Sequence, residues 1–239
     1  MKPRTPVYVV CSPRQGVGKT LIARLLPEFF IADRRPVEGF DIDPGGQSFA
    51  DHLPGCTTTA AIADTRGQMT LFDRLVRADQ VPKVVDVGST AFERFFGVLD
   101  EIGYLVEARR QNVQTIVLFV ANPDPASVKA YGAIERMLTG LTLVPVHNEG
   151  IARASQTRGK FPAGGSASLP LRLPPLPGGL VPIISDSAFS FADFRTMRSV
   201  GLSEAYHAEL DSWMKRIWLE FRELELRLLL ETLRHSLVQ

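Results

Sequence analysis

What the sequence lacks narrows it first. Two cysteines in 239 residues, Cys11 and Cys56, are too few for a disulfide scaffold or a thiolate zinc site within one chain. Four histidines, at positions 52, 147, 207 and 235, are scattered without ligand spacing, so no histidine-based metal site is expected. There is almost no charge excess: 27 Lys and Arg against 26 Asp and Glu leave a net charge of +1. That balance gives no support to a strongly basic nucleic-acid binder. No run of 18 apolar residues occurs anywhere, so no transmembrane helix is expected. The apolar run Val7–Val10 near the start is too short for the core of a signal peptide. A cytoplasmic, reducing environment is the expectation. Ser187, Ser190 and Ser199 lack a G-x-S-x-G setting, and no nucleophilic triad can be assembled from them.

What is present is a rhythm of short apolar runs and helical stretches. Strands are expected at 7–11, 37–41, 84–87, 115–121, 143–147 and 180–184, with helices near 19–31, 69–78, 92–110 and 127–139. Several of the strands are rich in Val and Ile without period-two alternation, as when both faces of a parallel sheet are covered. The length suits a single domain, 1–239, of the α/β class: a mostly parallel sheet with helices on both faces.

Two stretches stand apart. Residues 151–182 hold six prolines, five glycines, no acid, and the bases Arg153, Arg158, Lys160 and Arg172. This composition predicts a long loop insertion without regular elements. It would serve either as a solvated excursion or as a basic loop meeting a phosphate-bearing ligand or partner. Residues 203–236 read as one long amphipathic helix. Leu210, Met214, Ile217, Phe221, Leu224 and Leu228 recur at spacings of four and three, and Trp213, Trp218, Leu226, Leu229, Leu230 and Leu233 widen the stripe. Such a stripe packs on the chain's own sheet or builds a dimer. A membrane-surface role is less favoured, since both charge signs occupy the polar face.

The sharpest local signal is Ser12-Pro13-Arg14-Gln15-Gly16-Val17-Gly18-Lys19-Thr20, between the first strand and the first helix. Glycines at 16 and 18 admit backbone angles closed to other residues, so that successive N–H groups turn towards a phosphate. The helix N-terminus that follows adds its partial positive charge. In a phosphate loop Lys19 bridges β- and γ-phosphate oxygens, and the Thr20 hydroxyl is a ligand for Mg²⁺. Pro13 stands where the common P-loop pattern has its first glycine.

That departure resembles the deviant Walker A motif, K-G-G-x-G-K-[ST], of the ParA/MinD family of ATPases, here Arg14-Gln15-Gly16-Val17-Gly18-Lys19-Thr20. The stretch Asp41-Ile42-Asp43-Pro44-Gly45-Gly46-Gln47 looks like the family's D-x-D-P-Q-G switch I, and Val84-Val85-Asp86-Val87-Gly88 looks like Walker B with switch II. The resemblance spans about residues 7–150. It implies a P-loop NTPase fold binding Mg²⁺ and ATP, with Gln15 to Thr20 and Gly88 around the phosphates and Thr20, Asp41 and Asp86 near the metal. It further implies that Asp43 positions the attacking water. Arg14 stands where the family's lysine reaches a partner's nucleotide across a dimer, and the family's second glycine is Gln15. Asn148, ending a late strand, is the candidate for reading adenine, with Asn122 the alternative, either near the base or as a turn former. No N-K-x-D guanine motif is present.

The function implied is a slow, partner-stimulated ATPase that dimerises on ATP, in partition or positioning of DNA or protein cargo. A metabolic ATP-dependent ligase or kinase of the same fold, or a nucleotide-binding scaffold with little turnover, fits the same motifs.

Overall fold

The computed structural model describes residues 3–42, 48–138, 141–154, 169–196 and 203–237. In chain order these form β1 (Thr5–Cys11), α1 (Lys19–Ala32), β2 (Glu38–Asp41), α2 (Phe49–His52), β3 (Thr57–Thr59), α3 (Thr65–Leu75), β4 (Lys83–Val87), α4 (Phe92–Glu101), α5 (Tyr104–Arg110), β5 (Val113–Ala121), α6 (Pro125–Met137), β6 (Thr142–Asn148), α7 (Glu149–Ala154), β7 (Leu171–Leu173), a 3₁₀ turn (Gly178–Leu180), α8 (Val181–Ile184), α9 (Phe191–Thr196) and α10 (Glu204–Leu237). The seven strands make one sheet in the order β3-β2-β4-β1-β5-β6-β7, and every pairing is parallel.

The unbroken apolar runs of the central strands follow from burial on both faces. In β1, Tyr8 and Val10 point into a core shared with α1 and α10, while Val7, Val9 and Cys11 point into a second core under α3 to α6. The first core is aromatic at its centre, with Phe29 of α1 packed 5.6 Å from Phe221 and 6.3 Å from Trp218, both on α10. So the C-terminal helix buries one face against its own body. The second core stacks Phe72 on Phe95 and packs Tyr131 edge-on to Phe119.

The segment after β7 is held to α1 by a buried ion pair. Arg24 and Glu28, one turn apart on α1, meet at 3.1 Å and are both almost fully enclosed. Arg24 also donates to the carbonyls of Ile184 and Phe189, and lies over the Phe191 ring at 4.8 Å. Glu28 accepts from the Ser190 hydroxyl and the Ala192 N–H, each at 3.0 Å. Burial pushes the Glu28 carboxyl up and the Arg24 guanidinium down from their ordinary values, against the pull of these partners.

Several expectations are corrected. Residues 180–184 are not a strand but the end of the 3₁₀ turn followed by α8. Pro182 lies in the first turn of α8, a place that needs no N–H, whereas a ladder position would. The expected helix 92–110 is two helices, broken where Gly103 takes a φ of 63°. Segment 151–182 is not wholly irregular: besides the end of α7 it contains β7, which adds to β6 with Leu171 and Leu173 buried and Arg172 exposed. Residues 155–168 of that segment lie outside the described residues. Among the described residues, no helix is long and apolar enough to cross a membrane.

The Arg24–Glu28 pair sets a testable cost. Glu28→Ala leaves a buried guanidinium uncompensated and is expected to lower unfolding free energy by about 3–5 kcal/mol, read from urea unfolding. Replacing both together, Arg24→Met with Glu28→Leu, is expected to cost clearly less, because no isolated charge remains. A single mutant no worse than the double would contradict this account.

Candidate nucleotide-binding site

The site forms where the chain changes direction across the sheet. From β1 the chain runs to β2 on one side, and from β4 it crosses over β1 to β5 on the other. Open α/β sheets bind ligands outside the carboxyl ends of the strands at such a reversal. Here the pairing register sets Cys11 beside Val87 and Asp41 beside Asp86, so the ends of β1, β2 and β4 finish level.

The loop from β1 to α1 begins with Ser12, whose hydroxyl accepts the Arg14 N–H at 3.3 Å. Gly16 and Gly18 have φ of 67° and 95°, the left-handed angles expected of them. Gly18 is the N-cap of α1 and offers no side chain to cap it, and no acid sits in the first turn. Val17, between the glycines, is buried. Asn148, at the end of β6, donates its Nδ2 to the Val17 carbonyl at 3.0 Å and accepts the Gly150 N–H at 3.0 Å. A Cβ on Gly18 would approach that Nδ2 to 2.8 Å. The structure thus sets Asn148 against the Ser12–Thr20 loop, where it pins the backbone.

Lys19 reaches back over the loop, its Nζ donating to the Arg14 carbonyl at 2.7 Å. The Thr20 hydroxyl donates to Asp86 Oδ2 at 2.8 Å, joining the start of α1 to β4. Asp41 is buried beside Asp86, and its Oδ2 accepts the Ala50 N–H of α2 at 3.0 Å. Cys11 closes the floor. Burial pushes its thiol well up, while nearby Lys19 lowers it and Asp86 raises it. Gly88 is buried directly after β4, and its carbonyl accepts the Ala91 N–H at 3.2 Å. Gln15 is exposed on the loop. Asp43 lies outside the described residues.

Sequence reasoning missed Asp124. Its carboxylate takes both arms of the Arg14 guanidinium, Nη2 at 2.6 Å and Nε at 3.1 Å. It also accepts Nδ2 of Asn122 at 2.8 Å, and caps α6 through the N–H groups of Ala126 and Ser127 at 2.9 and 3.1 Å. Arg14 is therefore held by its own chain, and Asn122 belongs to a helix-capping turn. A signal was available: an Asp before Pro125 marks an N-cap followed by a first-turn proline. Its pairing with Arg14, 110 residues away, was not legible. The Arg14 hydrogen bond, with the capping N–H groups, holds the Asp124 carboxyl below its usual range.

Chemically, a glycine-turned loop, an uncapped helix N-terminus and Lys19 make a cradle for an anion of phosphate type. The Thr20 hydroxyl and the carboxylates of Asp86 and Asp41 are hard oxygen donors of the kind Mg²⁺ takes. The donor set fits a magnesium–nucleotide pair.

Two outcomes test this geometry. Gly18→Ala is expected to lower stability by about 1–2 kcal/mol through the left-handed angle alone, and more through the clash with Asn148. Gly16→Ala meets open space and is expected to cost only the angle; thermal unfolding of the two variants measures the difference. For Asp124 the sign follows from its depressed value. Its contribution is present above the ordinary carboxylate pKa and lost as pH falls through the folded one. The stability difference between the native chain and Asp124→Asn is therefore expected to shrink from pH 7 towards pH 3. A difference that grows with acid would contradict the assignment.

No protein-family model matches this chain, and no curated protein matches it.

Proposed function

We propose that the chain binds Mg·ATP on the Ser12–Thr20 loop and works as a ParA/MinD-like ATPase switch, with ATP closing a homodimer. The observation that carries this reading is the 2.8 Å hydrogen bond from Thr20 to Asp86, which links the last residue of the phosphate-loop motif to the carboxylate of the Walker B-like strand. Chance Gly-Lys-Thr sequences have no reason to meet such a partner 66 residues away.

In this reading the loop amides and the α1 N-terminus bind the phosphates, and Lys19 leaves the Arg14 carbonyl to neutralise their charge. Thr20, Asp86 and Asp41 would hold Mg²⁺, which would supply charge compensation to the phosphates. Asp43 orients the attacking water, a role taken from the family resemblance. Asn148 keeps the loop in shape and lies at the strand end from which the base is read. A protein partner that stimulates turnover, a cargo of DNA or protein, and a cytoplasmic setting belong to the same reading.

The Arg14–Asp124 pair favours a second reading, a nucleotide-binding scaffold in which Arg14 braces the loop in cis instead of reaching a partner's nucleotide.

Calorimetry with Mg²⁺ and a non-hydrolysable ATP analogue tests the first step. Lys19→Ala and Thr20→Ala are each expected to weaken binding about tenfold or more, equal to about 1.4 kcal/mol. Their unfolding midpoints should stay close to the native one. Binding unaffected by either change would sink the proposal. Sedimentation with and without the analogue then separates the two readings, since only the switch gains mass on nucleotide.

A further inference from the structure

Helix α10 carries two apolar stripes, and they differ in burial. Leu210, Ile217, Phe221, Leu224 and Leu228 are buried against the body. Leu219, Leu226, Leu229, Leu230 and Leu233 remain between 46% and 57% exposed. At about 100° per residue, Leu219, Leu226, Leu230 and Leu233 fall within about 60° of one another, roughly opposite the buried stripe. Leu229 forms its shoulder. The seam therefore faces away from the buried stripe.

The spacing of seven, four and three is that of a coiled-coil seam, with Leu219, Leu226 and Leu233 at d and Leu230 at a. Glu223 takes the remaining a position, while Glu220, Arg227 and Arg234 line one edge at e. At the a and e positions the acids lie in the first half of the seam and the bases in the second. Under a two-fold axis with the helices antiparallel, Leu226 packs on the partner's Leu230. Glu220, whose Oε2 accepts the Arg172 N–H of its own chain at 3.0 Å, then faces the partner's Arg234 with its other oxygen, and Glu223 approaches the same arginine. A parallel pairing instead stacks Glu223 on Glu223 in the seam. Arg227, at the centre of the antiparallel pair, is turned into its own chain, donating to the carbonyls of Glu223 at 3.2 Å and Leu169 at 2.8 Å.

We propose that this face of α10 is the interface for a second copy of the chain, packed antiparallel, and that this association needs no nucleotide. The charge pattern selects that occupant because it complements itself only when reversed. Both charge signs border the seam, unlike a helix that binds an anionic membrane. From Leu219 to Leu233 the seam is about 21 Å long, short for a stable interface, so micromolar association is expected.

Sedimentation of the full chain across the micromolar range, without nucleotide, is expected to show mass rising from one chain to two. Leu226→Glu with Leu230→Glu should shift that transition about tenfold or more in concentration. The fold should be unaffected, because both side chains are already exposed. Arg234→Glu alone should weaken association, and adding Glu220→Arg should restore it. In a Cys56→Ser background, a mixture of Leu226→Cys and Leu230→Cys chains should cross-link more readily than either alone. A monomer at every concentration, a dimer indifferent to these changes, or capture of the monomer by anionic phospholipid vesicles would overturn the proposal. The seam contains no residue of the phosphate loop, so its failure would leave the nucleotide reading standing.

Discussion

The parallel pairing of β1 with β4 is the constraint on which the candidate site depends. Because the two strands run together and end level, the loop leaving β1 arrives beside the carboxylate that ends β4. The Thr20–Asp86 hydrogen bond then needs no further device than the first turn of α1. β2 pairs on the far side of β4 and brings Asp41 to the same height. A slip of one residue in either pairing would turn these side chains to the opposite face of the sheet.

Packing on the two faces has different consequences for the loop. The face carrying α3 to α6 is closed by consecutive crossovers, each fixed by the strands it joins. The face carrying α1 is finished from far along the chain, by residues 180–194 and α10. The buried Arg24–Glu28 pair addresses that problem. An ion pair on α1 presents donors and acceptors that only the right carbonyls, hydroxyl and N–H can satisfy, so the late segment docks in one place. Buried charge of this kind selects a position more than it adds stability. Trp213 acts similarly, its indole N–H reaching the Pro174 carbonyl at 3.1 Å.

The legible part of the fold was the part fixed locally or by continuous burial. The long strands, the start of α1 at Lys19 and the full run of α10 all announce themselves through period and composition. β3 did not, because Thr57–Thr59 is a three-residue polar edge strand with little burial. β7 was hidden inside a proline- and glycine-rich stretch, its only sign being two buried leucines around Arg172. In the site, the resemblance put Thr20 and Asp86 near one metal without marking their direct contact, whereas the glycine angles followed from the motif. The long-range partners of Arg14 and Asn148 did not, since nothing in the spacing of 14 and 124, or of 17 and 148, marks them as neighbours. The apolar breadth of α10 was visible, but which leucines face the body depends on where α1 and β7 sit.

The two proposals together constrain how the chain would assemble. An interface on α10 and a nucleotide-dependent one at the loop edge would both be isologous, each using the same surface on both copies. Chains joined by one such face have no free copy of it, so growth stops at two. Chains joined by two different two-fold faces close with dihedral symmetry only if the axes intersect at a suitable angle, a right angle giving a tetramer; otherwise they continue as an open polymer. Under either geometry the α10 dimer would form without nucleotide at micromolar concentration, and ATP would then act on pairs of chains. Coupling two nucleotide sites through a standing dimer raises the effective concentration of the second contact once the first has formed, which sharpens a response to ATP without any new residue at the site.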